Sequence, residues 1–222
     1  ATVVFGVLLT VTLGGIVLHQ LTGYSYPATH ASSFELNVLG DIYEAFILVP
    51  AGALALWGMH RGAAWASVIT TAVTIHFAYN YTMAIAGRQN LWIFLWVVKA
   101  SLAGITMCLL WPLMPSGEGL SRRSRLVVTA YLLLVAVAFA GMMGRRLLAS
   151  ATGRAVDMTL QQSGAIDWGD PVLRDPAVFL GAVLPLMIAG VLGFPGGTGW
   201  GGKAATISCA FAASMVTVAL FT

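Results

Sequence analysis

The sequence predicts an all-α polytopic membrane protein, a bundle of about seven transmembrane helices, and three observations lead there. Of 222 residues, 59% are hydrophobic and only 9% are charged. A soluble domain carries about 25% charged residues, so the polar side chains that a water-facing surface needs are missing. Apolar runs as long as a membrane span, roughly 20 residues, recur along the whole chain. None of them alternates in the short segments of about 10 residues that build a transmembrane barrel.

The runs are Thr2 to Leu18, Leu36 to Trp57, Ala64 to Ile85, Leu91 to Trp111, Leu126 to Gly144, Ala177 to Phe194 and Ala204 to Phe221. The first begins directly after Ala1 with no basic segment ahead of it, which argues against a secretory signal peptide. The second and sixth contain Pro50 and Pro185 in mid-run, where a proline removes one ladder bond and crowds the preceding turn, so a kink is expected at each. Between the runs stand turn formers: His60-Arg61-Gly62, Gly87-Arg88-Gln89-Asn90, Pro115-Ser116-Gly117-Glu118-Gly119 and Gly196-Gly197-Thr198-Gly199. The last resembles a phosphate loop only superficially, since no strand precedes it and no Gly-Lys-Ser/Thr follows. Trp57, Trp65, Trp92, Trp111 and Trp200 fall near run ends, where an indole can be half buried and keep its N–H wet. Cys108 and Cys209 lie inside runs and read as packing residues rather than as a disulfide.

Most connectors are short, so consecutive helices are antiparallel neighbours within a single transmembrane domain covering 1–222. Only the first connector and the stretch from Arg145 to Pro176 can fold over the bundle; in the latter, Ile166 to Trp168 is expected to be ordered by docking on the helices. The compact Arg122-Arg123-Ser124-Arg125 cluster reads as cytoplasmic by the positive-inside rule, with the N-terminus outside. An internal echo suggests a parallel repeat of helices two and three in helices six and seven: Pro50, Gly58 and Trp65 recur at the same intervals as Pro185, Gly193 and Trp200.

Ionisable groups within a span cost about 2.5 to 3.5 kcal/mol each on insertion scales, so they are the candidates for function. They are Asp41 and Glu44 in the second run, His76 in the third and Lys99 in the fourth. Glu44 and Lys99 each lie eight residues past the start of a parallel run, and His76 lies nine before the end of the antiparallel run between them. At 1.5 Å per residue, all three sit roughly 12 to 14 Å from one membrane face. Asp41 and Asn80 stand one helical turn nearer that face. The result is a polar wedge between helices two, three and four, a path for a ligand or proton formed by Asp41, Glu44, His76, Asn80 and Lys99. Such a group also arises as a buried ion pair that does no more than hold helices together.

Sharper chemistries fit less well, and no cofactor, metal ligand set or catalytic group is assigned. A b-type haem needs two histidines converging from facing helices, and of His19, His30, His60 and His76 only His76 reads as deep. A retinal lysine belongs mid-span on the last helix, whereas Lys203 is at its rim and Lys99 is on the fourth. The final run holds none of the histidines that seven-helix zinc hydrolases place there. A net charge of +3 spread over loops suits anionic lipid headgroups and not nucleic acid.

The segment His76-Phe77-Ala78-Tyr79-Asn80-Tyr81 followed by Ala86-Gly87, with Arg174-Asp175 ahead of Leu184-Pro185 and with Pro50 in an apolar helix, resembles a family of uncharacterised multi-pass bacterial membrane proteins. The resemblance covers most of the chain from the second helix onward. It implies a bacterial cytoplasmic membrane and carries over no activity, and His76 and Lys99 depart from the family's pattern. Two functions are expected in close order: binding or transport of a small molecule or proton through the wedge, or a non-catalytic subunit packing against other membrane chains or further copies of itself. Enzymatic activity ranks third.

Overall fold

Hydrocarbon offers backbone amides no hydrogen-bond partner, so an apolar chain must satisfy them within its own helices. The computed structural model describes residues 1–22, 38–87, 93–151 and 179–221, and among them every regular element is helical. The expected ordering of Ile166 to Trp168, and Trp92 and Arg174-Asp175 with it, lies outside the described residues.

There are seven helices among the described residues: α1 (Thr2–Leu21), α2 (Val38–His60), α3 (Ala64–Gly87), α4 (Ile93–Leu110), α5 (Arg122–Ala151), α6 (Phe179–Gly193) and α7 (Gly199–Phe221). Four spans are long and apolar enough to cross a membrane, Thr2–Leu21, Val38–His60, Phe94–Leu113 and Arg122–Arg145. Helices α3 and α7, of 24 and 23 residues, also have the length. Outward faces are apolar, with Phe46, Leu54, Phe94, Leu134 and Leu192 all exposed, as lipid contact requires. Trp57, Trp65, Trp111 and Trp200 are exposed near helix ends, in keeping with the boundaries.

Both prolines interrupt their helices in the same manner. Glu44–Leu48 and Phe179–Val183 are π-helical turns, and each α-helical segment that follows carries its proline at the second residue. The Val49 amide reaches back five residues to the Glu44 carbonyl. A proline ring crowds the carbonyl four residues earlier, that of Phe46 or Gly181, and both carbonyls lie within the widened turns. The π turns, just ahead of both prolines, make room for the rings.

The helices pack as two units, one of residues 1–81, 94–114 and 210–222, the other of 82–93 and 115–209. In the first, α1 and α2 approach closely at Gly52, where a Cβ would press on Leu9 and Phe5. Helix α3 is buried from Val73 through Phe77, and Tyr79 packs edge-on against Phe211 of α7. In the second, Phe139 of α5 stacks on Phe179, and Leu132, Phe194 and Ala205 form a core. Gly190 there lets α6 touch the α7 backbone at Ala205.

The α2–α3 and α6–α7 hairpins match beyond their three shared sequence positions. Gly62 and Gly197 turn the chain at φ +70° and +71°. Gly58 meets Trp65 and Ala66, while Gly193 meets Thr198 and Gly201. The π turns, the prolines and the left-handed glycines are each separated by one interval, 135 residues (179 − 44, 185 − 50, 197 − 62), whereas the contacts at Gly58 and Gly193 coincide at it only for Ala66 and Gly201.

The sidedness expected above needs correction. If each helix crosses, the four that separate Ala1 from Arg122 return the chain to its starting side, so a cytoplasmic arginine cluster places Ala1 in the cytoplasm as well.

Candidate functional site

All five residues of the anticipated wedge belong to the first unit. Asp41 lies three residues into α2 and Glu44 opens its π turn, the first residue of five. Such turns recur at functional sites because they redirect a side chain that a regular α turn would point elsewhere. Lys99, six residues into α4, is 1% exposed, with Glu44 at 7% and Asp41 at 8%.

Helix α1 completes this group, which the sequence reading confined to α2, α3 and α4. His19, in the last turn of α1 and 3% exposed, donates from Nδ1 to Asp41 Oδ2 at 2.9 Å. One helical turn earlier, Gly15 leaves the space that Lys99 uses: a Cβ there would stand 3.0 Å from Lys99 Nζ. By hydropathy the first run ends at Leu18, one residue short of His19, which therefore reads from sequence as interfacial. A histidine in the last turn of a helix, 22 residues before an intramembrane aspartate, was the available signal.

His76 is held by its own partners. Asn80, one turn along α3, faces its Nε2 at 2.5 Å, and Ser214 of α7 meets its Nδ1 at 2.5 Å. Asn80 and Ser214 thus engage both ring nitrogens. Tyr43, the residue before Glu44, packs its ring 5.2 Å from the imidazole and links this triad to the π turn. Ser214 and Tyr43 were not singled out from sequence, since serine and tyrosine are ordinary within membrane helices.

The arrangement thus comprises a charged part, His19, Asp41, Glu44 and Lys99, and a neutral hydrogen-bonded part, Asn80, His76 and Ser214. Both lie toward the ends of α1, α2, α3, α4 and α7 that share one membrane face. Among the described residues no three His, Cys, Asp or Glu side chains are placed to hold a metal ion. With both nitrogens of His76 engaged, the two buried histidines do not present a facing pair for haem. An open recess at Met107, Cys108 and Trp111 is apolar and lies farther along α4, away from the charged group.

Of the small residues of α7, Ala204, Ala205, Ala210 and Ala212 are buried and Ala213 is exposed, as is Gly141 of α5, where a Cβ would meet nothing. No family model matches the chain, and neither the curated proteins nor the solved structures contain a match to it.

Proposed function

We propose that this membrane protein binds a small polar species or a proton at the His19–Asp41–Glu44–Lys99 cluster and passes it across the bilayer. One observation supports this above the others: four titratable side chains from three apolar helices, none more than 8% exposed, converge where each would be costly alone. A packing device needs one pair; here a π turn, a space-making glycine and two histidines with assigned partners surround it. Given a cytoplasmic Arg122–Arg125 cluster, helix parity places the group toward the extracytoplasmic face, with His19 and Asp41 as its outermost members and the Asn80–His76–Ser214 triad beside it. Access is then from outside.

Purified protein in lipid vesicles carrying an internal pH indicator tests this. An imposed pH gradient is expected to dissipate faster than in empty vesicles, and Lys99→Met or Asp41→Asn should abolish the difference. Equal rates for wild type and empty vesicles, with no thermal stabilisation by any small solute in a broad screen, would remove the proposal.

The runner-up, a non-catalytic subunit of a larger membrane assembly or a homo-oligomer, draws its support from the exposed Gly141 on α5, where small residues permit close helix approach. Gentle solubilisation and mass analysis distinguish it: a stable partner lost on Gly141→Leu favours assembly.

A further inference from the structure

The first turn of a helix presents the positive end of its dipole and favours carboxylates, yet α5 opens on Arg122, Arg123 and Arg125. None of the three has an ion-pair partner among the described residues. The charge at this end of the second unit can be counted, because the connectors 114–121 and 194–198 are described throughout. Their only carboxylate, Glu118, is exposed and lies against Gly199, and Lys203 in the second turn of α7 is a further cation. Arg125 alone is drawn inward. It is half-buried, its Nε has no hydrogen-bond partner among the described residues, and its Nη1 occupies the place a side chain on Gly197 would take. Gly197 turns at φ +71° and, lacking a Cβ, admits the guanidinium from α5 onto the α6–α7 connector. Holding a loop on one side of a membrane needs positive charge alone, which solvated side chains supply. It does not require an arginine lodged against another connector with donors unused.

We infer that Arg125, lodged against Gly197, and the neighbouring Arg122 and Arg123 form a binding site for the phosphate of an anionic phospholipid. A guanidinium fork matches phosphate oxygens and takes them two at a time. An anion here neutralises arginines that otherwise repel one another and the helix dipole. The hydroxyls of Ser121 and Ser124, exposed and hydrogen-bonded to each other at 2.9 Å, stand in the same turn and can donate to headgroup oxygens. What marks the ligand as a lipid is the apolar surface that continues from the arginines. Leu126 and Val127 follow them directly along α5, Trp200 follows Gly197 by three residues on α7, and all three side chains are exposed, as contact with acyl chains requires. The site belongs to the second unit, so it stands whatever the His19–Asp41–Glu44–Lys99 cluster carries.

Native mass spectrometry provides the test. Full-length protein in a neutral detergent is titrated with phosphatidylglycerol and the bound lipid is counted, with phosphatidylcholine and inorganic phosphate as parallel probes. Phosphatidylglycerol should bind about tenfold more tightly than phosphatidylcholine, and inorganic phosphate at matched concentration should not displace it. Arg125→Gln should weaken phosphatidylglycerol binding about tenfold, the loss of a charge-assisted contact. Arg122→Gln should weaken it about fivefold, as for one basic residue at an anionic surface. Gly197→Ala keeps every charge but sets a methyl where the guanidinium lies, so it should lose as much as Arg125→Gln. Gly62→Ala is its control, a like turn at φ +70° with nothing within 4 Å, and should bind as wild type does. This pair decides the matter if Arg125→Gln does not fold. Equal binding of the two lipids, unchanged affinity in Arg125→Gln and Gly197→Ala, or an equal loss in Gly62→Ala and Gly197→Ala would overturn the inference. Displacement by inorganic phosphate would overturn the lipid as the ligand.

Discussion

Gly15 and Lys99 show how much one atom decides at this site. A Cβ on Gly15 would stand 2.9 Å from Leu95 Cδ2 and 3.0 Å from Lys99 Nζ, both at the ends of flexible side chains. Alanine favours a helix over glycine by about 1 kcal/mol. Gly15→Ala should therefore leave thermal stability within about 1 kcal/mol of wild type while displacing the ammonium and slowing proton flux. A variant with unchanged flux would show that Lys99 need not stand where it does. Lys99 has its own signature. Lys99→Met leaves the buried Glu44 and Asp41 without the ammonium and should destabilise by about 3 to 5 kcal/mol. Adding Glu44→Gln removes one of those carboxylates and should recover part of that loss, as read by thermal unfolding in detergent; additive losses would separate the two residues. Depth along the runs identified Asp41, Glu44, His76, Asn80 and Lys99, because a charge in an apolar helix stands out and helix rise fixes its level. It did not identify His19, Tyr43 or Ser214, which depend on how helices face one another.

At the level of elements, space around a glycine separates tolerated from damaging changes. Gly62 and Gly197 share a left-handed turn, yet nothing lies within 4 Å of a Cβ at Gly62, whereas one at Gly197 would strike the Arg125 guanidinium. Gly62→Ala should thus cost only the backbone strain, about 1 to 2 kcal/mol, and Gly197→Ala measurably more. Helix interiors give the same contrast. Gly141→Ala on α5 meets nothing and should stabilise by about 1 kcal/mol. Gly202→Ala on α7 drives a methyl into the Ser116 backbone and should lower the unfolding temperature sharply. If the two variants melted alike, the α4–α5 connector would not pack there. Most helix ends were legible to within four residues, as hydropathy and tryptophan placement report on the same boundary, but α5 runs on to Ala151, past the expected Gly144, and α7 starts at Gly199, ahead of the expected Ala204. The π turns were not, although Pro50 and Pro185 marked their places: hydropathy responds to side chains and carries no information on whether a carbonyl is met four or five residues later.

For the molecule as a whole, one interval of 135 residues relates the π turns, the prolines and the left-handed glycines of α2–α3 to those of α6–α7. At the same interval Glu44 and His76 correspond to Phe179 and Phe211. Phe179→Glu should be destabilising, because it would put a carboxylate at a position 1% exposed and remove the ring stacked on Phe139. Sidedness decides which face the cluster opens to. If each of the seven described helices crosses, chain order alone expects the connectors at Gly62, Gly119 and Gly196 on the side of Arg122, Arg123 and Arg125, and the ends of α1, α2 and α4 that carry His19, Asp41 and Lys99 toward the other. The arginines favour the cytoplasm, where anionic lipid and the insertion machinery retain positive charge. Reporter tags inserted at Gly62, Gly119 and Gly196 should all read cytoplasmic, and a tag following α7 should read extracytoplasmic. Any disagreement among the three connectors would break the seven-span count. Agreement on the outer side would preserve the count but reverse the protein, opening the His19–Asp41 pair to the cytoplasm and turning proton uptake into release.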